Sequence, residues 1–219
     1  VDSLMVAALL GLGANAIYTT AFYMATVIEV PKRALSQVAM PLIARAFERS
    51  DIQEIKKIYQ KTSINQFIIG ALLLIGVWAN MNNIFQLMPK GEIFEVGKWV
   101  MIIVGFGKLI DMLFGPSSEI IVLSKYYGFN IILILLLAIS IIFANNELIP
   151  AYGINGAAFG AALALLFFNL IKFFFIWYTL KIQPFTLATL KVMIIITLTV
   201  SLNYFIPVID FVFLDIIVR

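Results

Sequence analysis

Six charged residues interrupt stretches of this chain that are otherwise apolar enough to span a bilayer. Glu29, Lys32 and Arg33 fall within the run from Ile17 to Ala46, and Lys108, Asp111 and Glu119 within the run from Val96 to Leu123. A charge at the centre of a membrane helix costs roughly 2.5–3.5 kcal/mol on insertion scales, so six facing lipid would oppose insertion by about 15–20 kcal/mol. The six are therefore expected to face one another or a water-filled cavity. Either arrangement forces the helices that carry them into one bundle. A cavity with charged walls inside a membrane is in turn a transport hypothesis.

The membrane reading rests on composition. Of the 219 residues, 63% are hydrophobic and 12% charged, against about 25% charged in soluble domains. Length is then best divided by the ~20 apolar residues that a span requires. Cysteine and histidine are both absent, which excludes disulfides, Cys/His metal sites and His-based catalysis. Neither a phosphate-binding glycine loop nor an acidic metal cluster occurs, so no enzyme, cofactor or metal site is expected.

Punctuation divides the chain into six complete spans and two partial ones. A truncated helix ends near Leu12, with a tight turn over Gly11 to Asn15. A long helix follows from about Ala16 to Arg49. The stretch from Asp51 to Lys61 is charged and amphipathic. Its Lys56, Lys57 and Lys61, interleaved with Ile52, Ile55, Ile58 and Tyr59, predict either a helix lying at the membrane surface on anionic lipid or a solvated linker. Further spans cover Ser63 to Leu87, Phe94 to Leu123, Phe129 to Leu148, Asn155 to Leu180 and Leu187 to Phe205. A last apolar stretch, Phe211 to Val218, is too short to cross. With a start that reads as the tail of a longer apolar segment, the chain is expected to be a fragment of a longer protein.

The positive residues orient these spans. Arg45, Arg49, Lys56, Lys57, Lys61, Lys125, Lys181, Lys191 and Arg219 fall on one side under simple alternation, and only Lys90 and Lys98 on the other. The positive-inside rule makes the loops at 50–62, 124–128 and 181–191 cytoplasmic. Cations spread over many short loops suit a bilayer as partner and argue against nucleic acid.

Two stripes are candidates for function. On the long helix Thr19, Thr26, Glu29, Arg33 and Ser36/Gln37 share a face, with Lys32 pointing partly away. Pro31 predicts a kink at about Val27, which frees carbonyls to meet water or substrate beside a cavity. The alternative is that Lys32 and Arg33 snorkel, or pair with Glu29 for stability. On the second helix Lys108, Asp111, Gly115 and Ser118/Glu119 share a face, with Pro116 as a second kink. Lys108 and Asp111 are spaced as i,i+3 partners and are expected to form an ion pair; that pair is either functional or purely structural. Gly156, Gly160 and Ala164 form a small-residue ridge suited to close helix packing.

Several of these motifs together resemble a known family. Ile17-Tyr18-Thr19-Thr20-Ala21-Phe22, Glu29-Val30-Pro31-Lys32-Arg33-Ala34-Leu35, Pro41-Leu42-Ile43-Ala44 and Pro150-Ala151-Tyr152-Gly153-Ile154-Asn155-Gly156-Ala157-Ala158 are similar to the polysaccharide-exporter branch of the multidrug/oligosaccharidyl-lipid/polysaccharide flippase superfamily. The resemblance implies an all-α integral membrane protein, a helical bundle forming the carboxyl-terminal lobe of a MATE-like two-lobe fold. It places Asp2 in the seventh helix of the whole protein and makes the amino-terminal lobe a partner. It also implies a flippase moving undecaprenyl-pyrophosphate-linked oligosaccharide across the bacterial inner membrane for lipopolysaccharide O-antigen or capsule synthesis. Lys32, Arg33 and Lys108 would attract the pyrophosphate or acidic sugars; Glu29, Asp111 and Glu119 complete the cavity candidates. H+ or Na+ is a possible coupling ion. Two other readings stay open: a multidrug antiporter of the same fold, and a non-transporting membrane subunit of a polysaccharide-synthesis complex.

Overall fold

Backbone breaks, more than hydrophobicity, set where the helices begin and end. The computed structural model describes residues 1–203, with side chains through residue 201, and every regular element among them is helical. In order these are α1 (Asp2–Leu10), α2 (Leu12–Thr26), a one-turn 3-10 helix (Val27–Glu29), α3 (Val30–Glu48), α4 (Ile52–Ala79), α5 (Met81–Leu87), α6 (Gly91–Glu95), α7 (Lys98–Leu113), α8 (Ser117–Leu123), α9 (Tyr127–Leu180) and α10 (Leu187–Asn203). The expected last residues of the 187–205 span and the apolar stretch 211–218 lie outside the described residues.

Each break has a local cause. Pro31 has no N–H to offer the Val27 carbonyl; that carbonyl instead accepts from the Val30 N–H, which tightens residues 27–29 into the 3-10 turn. Further along, α7 and α8 meet at 48° across Phe114-Gly115-Pro116. Gly115 has φ +60°, and a methyl there would lie 2.8 Å from Ser63 Cβ, so the position admits only glycine. The Leu113 carbonyl freed by the break accepts a hydrogen bond from Ser63 Oγ at 2.5 Å. The 54-residue run of α9 is two helices folded at Gly153 (φ 60°, ψ −139°). Its arms, 127–152 and 154–180, run back along each other: Gly156 abuts the Leu148 carbonyl, and Gly160 faces Asn145.

These breaks correct several expected boundaries. The turn at 11–15 shrinks to Gly11 alone, and α2 starts at Leu12. The amphipathic stretch 51–61 is not a separate helix. Asp51 caps it by accepting from the Glu54 N–H, and it runs without interruption into the following span as α4. Its Ile55 and Tyr59 are turned into the protein, buried in one cluster with Ile43, Ile121 and Ile176. The same helix stops at Ala79 and not Leu87. Asn80 folds its amide back onto the Gly76 carbonyl at 3.0 Å, and a separate short helix follows. The helix expected from Phe94 starts as α7 at Lys98. Among the described residues two helices, α4 and α9, are long and apolar enough to cross a membrane, and the bent α7–α8 pair makes a third if its two parts count as one span.

Packing is organised by height. Tyr18, Ala21 and Ala25 of α2, Val100, Met101 and Val104 of α7, and Ala157 and Ala158 of α9 share one apolar cluster. Ala39, Ile43 and Ala46 of α3, Ile120 and Ile121 of α8, and Ile176 of α9 share another. The α2–α3 rod, the α7–α8 pair and the second arm of α9 therefore run in the same direction from the first cluster to the second. Glu29–Arg33, Lys108–Asp111 and Asn169–Lys172 all fall between the two. Here a third cluster of Ile28, Phe67, Ala71, Leu74, Leu109 and Met112 fills the remaining space.

The hairpin in α9 makes a direct prediction. Gly156→Ala forces its methyl into the Leu148 backbone and should cost about 1–3 kcal/mol, as overpacking does. Gly76→Ala in α4 meets open space and should be neutral or stabilising by up to ~1 kcal/mol. Thermal unfolding of both variants of the full-length protein in detergent measures the difference.

Candidate functional site

The charges of the two stripes meet across helices and not along them. Lys108 Nζ lies 2.5 Å from Glu29 Oε2, and Lys32 Nζ pairs with Asp111 Oδ2. These replace the expected Lys108–Asp111 pair. Opposite charges on the parallel α3 and α7 stand at the same height, so each meets a fully charged partner at closer range than its i,i+3 neighbour allows. Of the stripe charges among the described residues, Glu29 and Arg33 also pair along their own chain segment, at 3.9 Å.

Lys32 and Arg33 also exchange the roles expected of them. The Lys32 side chain is 17% exposed and points inward, whereas that of Arg33 is 70% exposed. The 3-10 turn explains the reversal. It advances by 120° per residue where an α-helix advances by 100°, so three residues rotate all that follows by about 60°. That rotation carries Lys32 towards α7 and Arg33 to the outer face. Glu29 remains half-buried beneath it.

A second lysine completes the network. Lys172 is 2% exposed, with Nζ 3.9 Å from Asp111 Oδ1 and 3.1 Å from Ser118 Oγ. The same ammonium sits over the Phe168 ring at 4.2 Å. Asn169, one turn earlier, donates to Asp111 Oδ1 at 2.9 Å. Asp111 is thus the common acceptor for groups from α3 and α9. Gln66, fully buried on α4, reaches the Lys32 carbonyl and Ser36 Oγ, both at 3.4 Å. Glu119 makes no hydrogen bond or ion pair among the described residues, but stands within electrostatic range of Lys32, Lys172 and Tyr59.

Nearer the first cluster a smaller polar group lies between α1 and α9. Asn145 Nδ2 donates to Asp2 Oδ1 at 2.9 Å, and Ser3 Oγ bonds to Asn15 at 2.9 Å. A cavity of about 190 Å³ extends from Asp2 to Lys108 between Phe22, Gly107 and Ala162. The hydroxyls of Thr19 and Thr26 are spent on carbonyls of their own helix.

All six candidate charges therefore gather in one region, joined by Lys172, Asn169 and Gln66; sequence reasoning missed these three and the separate Asp2–Asn145 pair nearer the first cluster. Together the charged groups of the belt, from Glu29 to Lys172, comprise four cations and three carboxylates. No group of three or more acidic, histidine or cysteine side chains that could hold a metal converges among the described residues. Pro31 and Pro116 stand at the two breaks flanking the belt. Gly156, Gly160 and Ala164 lie in the α9 hairpin, buried against other protein atoms. The chain matches no protein-family model, curated protein or solved structure.

The sharing of Asp111 predicts an asymmetry. Asp111→Asn strands two lysines in the interior and should cost about 3–5 kcal/mol, the range for a buried pair losing one partner. Lys172→Met leaves Asp111 its Lys32 partner and should cost distinctly less. Membrane abundance and detergent melting of the two variants, compared side by side, give the order.

Proposed function

We propose that this chain is one lobe of a bacterial inner-membrane flippase that moves a lipid-linked oligosaccharide by alternating access. The observation that supports it best is the belt of charges at mid-depth between two apolar clusters. Polar and ionisable groups at such depth are costly and are kept where they serve a pathway or a partner. Buried ion pairs alone add little stability over apolar replacements, so packing is a weak reason for the six charged groups that lie between the two clusters. The motif resemblance in 17–44 and 150–158 points the same way.

In this reading the two arms of α9, the bent α7–α8 pair, α4, α10 and the α2–α3 rod each cross the bilayer, giving six spans. The end bearing Arg45, Arg49, Lys56 and Lys181 faces the cytoplasm. Arg33 projects from the outer face of α3, beside the exposed Val30 and Gln37, where an opposite lobe would close a cavity. Its guanidinium can hold a phosphate through two parallel hydrogen bonds. Lys108 and Lys32 stand behind it, tied to Glu29 and Asp111, and supply field more than direct contact. The excess of cations favours an anionic headgroup such as a pyrophosphate over a cationic drug.

Arg33 decides the matter because it is exposed. Arg33→Gln in the full-length protein should reduce surface glycan by at least about tenfold, the loss of one charge-assisted contact of ~1.5–3 kcal/mol, with protein abundance unchanged. Arg33→Lys should retain part of the export, since charge remains and only the fork is lost. Normal glycan export by Arg33→Gln refutes the assigned contact.

A further inference from the structure

We propose that the seam between α3 and α7 is a joint that opens by exchanging ion-pair partners. In the arrangement seen, Glu29–Lys108 and Lys32–Asp111 bridge the helices. On opening, Glu29 closes onto Lys32 and Arg33 of its own helix, and Lys108 closes onto Asp111 of its own.

Three observations carry this. The first is spacing. Residues 29 and 32, and residues 108 and 111, stand three apart on their helices, and 29 and 33 stand four apart, so each charge has an opposite charge one turn away. The Arg33–Glu29 contact at 3.9 Å is already such a pair. A tie across the seam needs only opposite signs on the two helices. Alternation of sign along each helix is what lets each one close on itself.

The second observation is how little else holds the seam. The body of α3 rests on α4 and α8, while α7 packs against α2, α4 and α9; only the 3-10 turn touches α7 closely. There Ile28 meets Gly105. Elsewhere long side chains cross the gap. Splitting a seam of this kind ordinarily leaves charges unpaired in a dry interior, the costliest arrangement available to them. Partner exchange keeps the number of pairs constant, so both arrangements are accessible and intermediate ones are not.

The third observation is that a break flanks each side. The 3-10 turn and Pro31 adjoin Glu29, and Gly115-Pro116 follows Asp111 by four residues. Asn169 and Lys172 remain with Asp111 when Lys32 leaves, which anchors α7 to α9 while α3 moves.

The test uses the full-length protein freed of any cysteine outside this chain, which has none, with Ile28→Cys as reporter. Ile28 is fully buried at the seam, so a small hydrophilic maleimide reaches it only on opening. Glu29→Lys with Lys108→Glu keeps the bridge but sets like charges side by side on each helix, which forbids the exchange. Labelling should be measurable in the parent and slowed at least about fivefold by this double change, within the range of coupling in one ion-pair network. Arg33→Gln alters only an exposed side chain and should slow labelling about twofold, by removing one intrahelical partner. A plain structural tie predicts parental rates for both. Labelling as fast as the parent, or faster, in the double variant overturns the proposal, as does a parent that does not label at all. Should the double variant fail to accumulate, an unchanged rate in Arg33→Gln overturns it alone. Export plays no part in this readout, so its result and that of the transport reading are independent.

Discussion

The carboxylate of Asp111 is the constraint on which this helical bundle turns. It projects from α7 and accepts Lys32 from α3 on one oxygen, with Asn169 and Lys172 from α9 at the other. Apolar packing at the two ends of the bundle is non-directional and tolerates rotation or sliding of helices. A carboxylate met by cations from two directions does not. Buried ion pairs add little net stability, and in membranes the driving force for helix association is itself weak. What Asp111 supplies is register: it fixes which turn of α3 and which turn of α9 stand at the level of α7.

That level is reached through broken backbone. The 3-10 turn ahead of Pro31 rotates Lys32 inward, the Gly115 break turns α8 so that Ser118 meets Lys172, and the fold at Gly153 returns the chain so that Asn169 and Lys172 lie beside α7. The first two breaks each free a carbonyl, and buried carbonyls need partners. Ser63 answers Leu113, and the Val30 N–H answers Val27. Ser63, at the head of the apolar part of α4, thus reads as an answer to the break between its neighbours α7 and α8.

Much of this was legible beforehand. Proline and glycine placed the breaks near Val27, Gly115 and Gly153, because their effects are local and steric. That the six charges would gather followed from the cost of exposing them to lipid. Partner choice was not legible. Lys108 and Asp111 look like a pair in one dimension, and only the parallel course of α3 and α7, with the 3-10 turn seated on α7, shows that Glu29 and Lys32 stand closer. The inward turn of Lys32 depended on a 60° phase change that an ideal 100° wheel leaves out. Lys172 differs from these, since a lone lysine inside the apolar 155–180 run carries the same signal as the six charges and the same reasoning applied to it. Asn80 and Asp51 shifted helix ends through side-chain bonds to backbone, which hydropathy does not register.

A double-mutant cycle on Lys32 and Asp111 in the full-length protein addresses the charge network directly. Lys32→Met, Asp111→Asn and the pair would be compared by reversible unfolding in detergent. If the two side chains meet across the seam, the double variant should be more stable than the sum of the single losses allows, with a coupling of about 1–3 kcal/mol. Strict additivity, within about 0.3–0.5 kcal/mol, would mean that Lys32 and Asp111 do not touch and that the charges of this bundle are arranged in some other way.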